Sequence, residues 1–268
     1  MSEFPCDGPI DANVHVISGS VVVIAEERST ALVTIEPEHN NDSGRAAAEA
    51  TRVEMIGNTL IVEVPSRSVG FIRRSSSLRV SVRLPLDSRV DVKTASSDIT
   101  MTGRFGSCTT KTASGDVRID DVTGTLTANT ASGDIEFGHV GGNVNLHTAS
   151  GTVRAKAAGG DLVFRSASGD ATIGPVGGSV EVNTASGDLR IGSVHTGSTH
   201  IITVSGKVEI GVAEGTSVWL DVNTLSGDTR SELAVTDGAP AGNPATLNLQ
   251  IRTVSGDVLI RRAAAVSA

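Results

Sequence analysis

Seven aspartates recur at one place in a repeated phrase: Asp98, Asp116, Asp134, Asp170, Asp188, Asp228 and Asp257. A serine stands two residues before each of them. Carboxylates in a row are hard-cation chemistry when several oxygens converge on one ion. A serine beside an acid is the raw material of an activated nucleophile. The phrase is a hydroxyl residue, a small apolar residue, Ser, usually Gly, and Asp. It reads TASSD at 94–98, TASGD at 112–116 and 130–134, TASGT at 148–152 and SASGD at 166–170. TASGD at 184–188, TVSGK at 203–207, TLSGD at 224–228 and TVSGD at 253–257 complete the set.

Repetition argues against both chemistries. A nucleophile present in every repeat is a turn residue, not an active site. Calcium-binding nonapeptide rolls use GGxGxD, a phrase this chain lacks. Thr152 and Lys207 also stand where the other repeats have Asp, which a turn tolerates and a uniform metal row does not. The Asp side chains are therefore expected to accept backbone N–H groups at a corner. Two residues on, Arg118, Glu136, Arg154, Arg190 and Glu209 share a strand face with them. Their alternating sign predicts a cross-strand charge ladder that fixes register.

The elements follow from the spacing. First residues at 94, 112, 130, 148, 166 and 184 hold an 18-residue period, and later intervals are 19, 21 and 29. A fixed period in this range is the signature of a solenoid. With the first Thr or Ser as position one, positions six, eight, fifteen and seventeen are apolar, as in Val117, Ile119, Leu126 and Ala128. Each repeat is thus two or three short strands joined at glycine-containing turns. Position two is uniformly apolar, from Ala95 to Val254: a bulge at the corner would turn it inward, the favoured expectation, while strict alternation would leave it exposed as an apolar stripe and partner surface. The expected class is all-β: a single-chain β-solenoid of ~18-residue rungs with an N-terminal β-strand cap. Its handedness stays open.

Residues 1–9 read as a flexible start and 10–92 as half-buried strands capping the solenoid. Residues 93–262 carry the repeats, interrupted by a Pro/Gly-containing loop at 232–247, and 263–268 is a tail. Trp219 and that loop are expected to finish the C-terminal end.

Composition narrows the function. Aromatic residues are 2% with no Tyr, so carbohydrate stacking has little to work with. Net charge is −8, against general nucleic-acid binding. Arg67, Arg73, Arg74 and Arg79 form a local basic stretch, either a solvated face or an interaction patch. The six histidines have no metal-ligand spacing, and no GxSxG elbow, P-loop or GxGxxG helix start occurs. Cys6 and Cys108 make no disulfide framework and fit a reducing compartment. The first twenty residues show neither signal peptide nor lipobox, so a cytoplasmic location is expected unless the start site is mis-called. No stretch reaches the roughly 20 apolar residues of a membrane span.

The TASGD[VIL]x[IF] run, the VRLPLDSRVDVKTAS entry and the EGTSVWLDVNTLSGD phrase resemble a bacterial family of adhesin-like β-strand-repeat domains of unknown function, the toast-rack-like β-solenoids. The resemblance covers roughly residues 10–262. It implies one β-solenoid domain without catalytic residues or cofactor. The expected role is a non-enzymatic scaffold that presents a repetitive face to a protein partner or to itself. A carbohydrate-binding or polysaccharide-active β-helix and a cation-stabilised structural β-roll are the alternatives.

Overall fold

A computed structural model describes residues 1–39, 41–65, 77–233 and 246–263. The tail from 264, most of the 232–247 loop, and Arg67, Arg73 and Arg74 lie outside these residues. The chain is a β-solenoid built as two compact units, Met1–Gly138 and His139–Ala268. In both, a rung consists of two strands facing each other across a thin core. The Ser-Gly-Asp phrase joins the first wall to the second.

In the first unit the strand Asp11–Glu26 is the centre of pairing. It lies parallel to Arg89–Phe105 over residues 11–24, with Val16 opposite Thr94, Ser18 opposite Ser96 and Ser20 opposite Asp98. Val16-Ile17-Ser18-Gly19-Ser20 therefore occupies the place of the repeated phrase without its spelling. On the other side it pairs in parallel with Thr59–Glu63 and Leu78–Pro85. Beyond these two strands the direction reverses. Arg52–Ile56 is antiparallel to Thr59–Glu63, Thr30–Pro37 to Leu78–Pro85, and Ser2–Pro5 to Thr30–Pro37. The short helix Asp42–Ala50 packs on Thr30–Pro37 and is capped by Asn41, whose side chain accepts the Gly44 N–H at 2.7 Å.

In the second unit the spatial order departs from the chain order. The first-wall strands run Val144–Ser150, Leu162–Ser168, Val180–Ser186 and Gly197–Ser205. Next comes Thr246–Ser255, and outside it Ser217–Ser226. The second wall repeats this exchange: Val258–Arg262 lies between Val208–Val212 and Thr229–Ser231. The last rung in the chain is thus the penultimate rung in space.

Side-chain chemistry explains the exchange. Leu247, Leu249, Ile251, Val258 and Ile260 are at most 1% exposed. Thr229 and Ser231 stand in register with Val258 and Ile260. Hydroxyls at these inward positions are costly between two rungs and cheap on the outermost one. Arg262 secures the arrangement: its Nη1 donates to the carbonyls of Ala213 and Thr216 at 3.0 and 3.1 Å. Those residues belong to the segment that carries the chain past the slot.

The corner is tight because identical residues stack over one another. Gly133 has φ 135°, and a Cβ there would stand 2.2 Å from the Gly115 carbonyl oxygen. Strain and contact both act against any side chain at this position. Gly133→Ala is expected to lower unfolding free energy by at least about 2 kcal/mol in chemical denaturation. An unchanged midpoint would show that the corner can relax.

Candidate functional site

The corner phrase divides its labour by position. In the rungs of Thr112, Thr130, Thr148, Thr184 and Thr203 the position-one hydroxyl points into the core and bonds the carbonyl of position three, whereas the buried hydroxyls of Ser166, Thr224 and Thr253 have no such bond. Thr112 donates to Ser114 at 2.9 Å, Thr130 to Ser132 at 3.1 Å, Thr148 to Ser150 at 3.0 Å and Thr203 to Ser205 at 3.1 Å. A buried hydroxyl is thereby satisfied within its own rung.

The Asp side chain reaches to the neighbouring rung instead. In the first unit, Asp98 Oδ1 accepts the Asp116 N–H and Asp116 Oδ1 accepts that of Asp134, both at 3.0 Å. In the second unit, Asp170 accepts the N–H of Asp188 and Asp188 that of Lys207, both at 2.8 Å. Asp257 accepts the Asp228 N–H at 3.0 Å, in accord with the exchanged rung order. Each of these carboxylates thus bonds a backbone donor at the equivalent position. Among the described residues, no three His, Cys, Asp or Glu side chains are grouped to hold a metal ion.

Within each unit the charges two positions on lie along the second wall. Arg118 sits 3.1 Å from Asp116 and 3.9 Å from Glu136. Arg190 is 3.2 Å from Glu209, which Arg261 also meets at 2.8 Å. Arg154 is exposed on the same wall in the second unit. Most of these groups are half exposed, so each pair contributes about 0–1 kcal/mol and its role is register. Arg79, the described member of the basic stretch, is exposed on Leu78–Pro85 and stands opposite Glu36.

Position two overturns the expectation of burial. Ile17, Ala95, Ala113 and Ala131 in the first unit are all exposed, and so are Ala149, Ala167, Ala185, Val204, Val254 and Leu225 in the second. The reason is simple alternation. Position one points in, so position two points out, and the chain turns at the glycine of position four rather than at a bulge. Leu225 is 84% exposed, Val204 51% and Val254 47%. Trp219 is also exposed, on the outermost strand.

A second polar column lies at the opposite corner. Asn143 Oδ1 accepts the Asp161 N–H at 2.9 Å, Asp161 Oδ1 the Ser179 N–H at 2.8 Å, and Ser179 Oγ the Ser198 N–H at 3.2 Å. Its signal in the sequence is a short polar residue, Asn143, Asp161 and Ser179, every 18 residues just before an apolar one.

Two other features have resolved chemistry. Burial pushes the Cys108 thiol up to about 12, and Cys6 is likewise buried and unpaired. Asp87, in the turn after Leu78–Pro85, has φ 60° and receives two hydrogen bonds from Arg104 at 2.8 and 2.9 Å. That guanidinium holds the Asp87 carboxyl below the usual carboxylate range. A groove of about 140 Å³ on the first unit is lined by Asn13, His15, Glu63, Asp91 and Lys93. Within it Lys93 pairs with Asp91 at 3.2 Å.

These observations define a class: a repetitive β-solenoid whose recurrent polar residues are spent on holding rungs together. The chain belongs to the Toastrack DUF4097 family, whose model matches residues 11–261. A comparison with curated proteins returned no match. Among solved structures, it is similar to a putative adhesin from Parabacteroides distasonis, at 10% identity over 97% of this chain and 95% of the other, with a TM-score of 0.39. A putative adhesin from Parabacteroides merdae matches at 10% identity over 97% and 94% of the two chains, with a TM-score of 0.40. A putative lipid binding protein from Parabacteroides distasonis matches at 11% identity over 97% and 95%, with a TM-score of 0.42. Likeness at this level carries nothing about activity.

Two expectations follow, one for the corner and one for the Asp87 turn. Asp188→Ala is expected to cost about 1 kcal/mol, while Asp188→Asn, which keeps an acceptor, costs less. Equal losses in denaturant titrations would assign the effect to charge alone. For Asp87, a lowered pKa means its contribution is full above the unfolded carboxylate value and is lost as pH falls through the folded one. The melting temperature of Asp87→Asn should therefore lie below wild type at pH 7 and approach it in strong acid.

Proposed function

We propose that this chain is a non-enzymatic scaffold that engages a protein partner, or further copies of itself, through the exposed position-two stripe. The observation that carries the reading is that this column is apolar and exposed in every rung, while the polar columns beside it are spent on backbone bonds. Val204, Val254 and Leu225 stack on neighbouring rungs and make a contiguous exposed apolar patch, the kind of surface that marks a protein contact. Membership of a family of unknown function agrees with a scaffold and assigns no partner. A net charge of −8 supports a partner other than nucleic acid. We assign the scaffold to the cytoplasm, a reading supported by two unpaired, buried thiols.

A photo-crosslinking residue at 167, 204 or 254 tests this in the native cell, with position 172 on the exposed side of the second wall as control. Crosslinks to one partner are expected at the stripe positions and not at 172. Equal yields at all four sites would overturn the reading.

A further inference from the structure

We infer that the outermost strand, Ser217–Ser226, is a self-complementary edge through which two copies of this chain pair antiparallel about a two-fold axis at Val222. The inference rests on the reading of the chain as an interaction scaffold, but it uses the end of the second unit rather than the stripe and shares only Leu225 with it.

Four observations lead here. Among the described residues this strand pairs with Thr246–Ser255 alone, so its other edge has no strand partner. An edge of ten residues is a template for another strand. Natural edges are blunted by Lys, Pro or several charges. This one, SVWLDVNTLS, has a single charge, Asp221, and no proline. The edge is also apolar where it is exposed: Trp219 is 58% exposed, Leu220 38% and Leu225 84%.

The backbone has the polarity such a pair needs. The Ser226 carbonyl accepts the Gly256 N–H, so it faces the inner neighbour. By alternation along a parallel strand, residues 219, 221, 223 and 225 turn their N–H and C=O groups to the open side. Two copies related by a two-fold at Val222 set Trp219 against the partner's Leu225 and Asp221 against the partner's Asn223. All four bonding positions are then used, and Val222 meets the partner's Val222 at the axis as a non-hydrogen-bonded pair.

Charge selects this register. A slip of two residues one way sets Asp221 against the partner's Asp221, and like charges directly opposite are destabilising. The same slip the other way sets Asp221 against the partner's Leu225 and leaves Trp219 without an apolar partner. Only the Val222 axis gives two Trp–Leu pairs and two Asp–Asn pairs.

The test is sedimentation equilibrium on the full chain, with circular dichroism to confirm folding. Wild type is expected to dimerise. Asn223→Asp places two like-charge pairs in the interface and should raise the dissociation constant about tenfold. The exchanged double variant, Asp221→Asn with Asn223→Asp, restores the opposite pairing and should restore the dimer. Thr172→Glu, on the exposed side of the second wall and away from both the edge and the stripe, should leave dimerisation unchanged. A folded wild type that stays monomeric overturns the inference. So does a dimer that ignores Asn223→Asp, or a double variant that fails to recover. Failure of the stripe crosslinks alone leaves these outcomes separate, because none of them depends on positions 167, 204 or 254.

Discussion

In-register stacking at the Ser-Gly-Asp corner is the constraint on which the remaining structure depends. Each rung turns with its carbonyl against the α-carbon of the next, at 2.2 Å from where a Cβ on Gly133 or Gly187 would lie. That approach favours glycine, although Ser97 takes the same place in the 94–98 phrase without a positive φ, and it brings each Asp carboxylate within reach of the equivalent backbone N–H. Once the corner is fixed, the strands on both sides have no freedom of register, since a slip of one residue would turn every Val and Leu outward. The core of Val, Ile and Leu ladders, with very few aromatic rings, follows from the thin space this leaves between the walls.

The same constraint accounts for where polarity is spent. Stacked carboxylates repel, yet Asp98, Asp116, Asp170, Asp188 and Asp257 each accept a backbone donor. In the first unit Arg118 also pairs with Asp116, and in the second Arg190 pairs with Glu209. Lys207 shows the tolerance of the scheme: it still donates its N–H to Asp188 while offering no carboxylate itself. A site built to hold an ion could not lose a ligand this way.

The 18-residue rung, its apolar positions and its glycine turn were legible in the sequence, because each is a local pattern repeated with little variation. The rung at 16–20 was not, since Val16-Ile17-Ser18-Gly19-Ser20 shares only Ser and Gly with the phrase and is recognisable through pairing with 94–98. Position two differs for another reason: uniform apolar character suggests burial, whereas alternation from the buried Thr at position one points it outward. The polar column at Asn143, Asp161 and Ser179 was in view but masked by the louder corner opposite.

The exchange of the last two rungs shows how a solenoid of near-identical repeats specifies its end. Ser217–Ser226 and Thr246–Ser255 carry the same Thr-x-Ser-Gly-Asp continuation, so the corner alone cannot decide which lies inside. The decision falls to positions six and eight, where Thr229 and Ser231 oppose Val258 and Ile260. Burying two hydroxyls without partners costs about 1–3 kcal/mol each, and the reverse order would also expose two apolar side chains. The polar rung therefore goes outermost although it comes first in the chain, and Arg262 closes over the crossing that this order requires. An end made this way is polar on its second wall and apolar on its first, where Trp219, Leu220 and Leu225 remain in solvent. The side chains that settle the order of the rungs thus also determine which wall of the terminal rung offers an apolar edge.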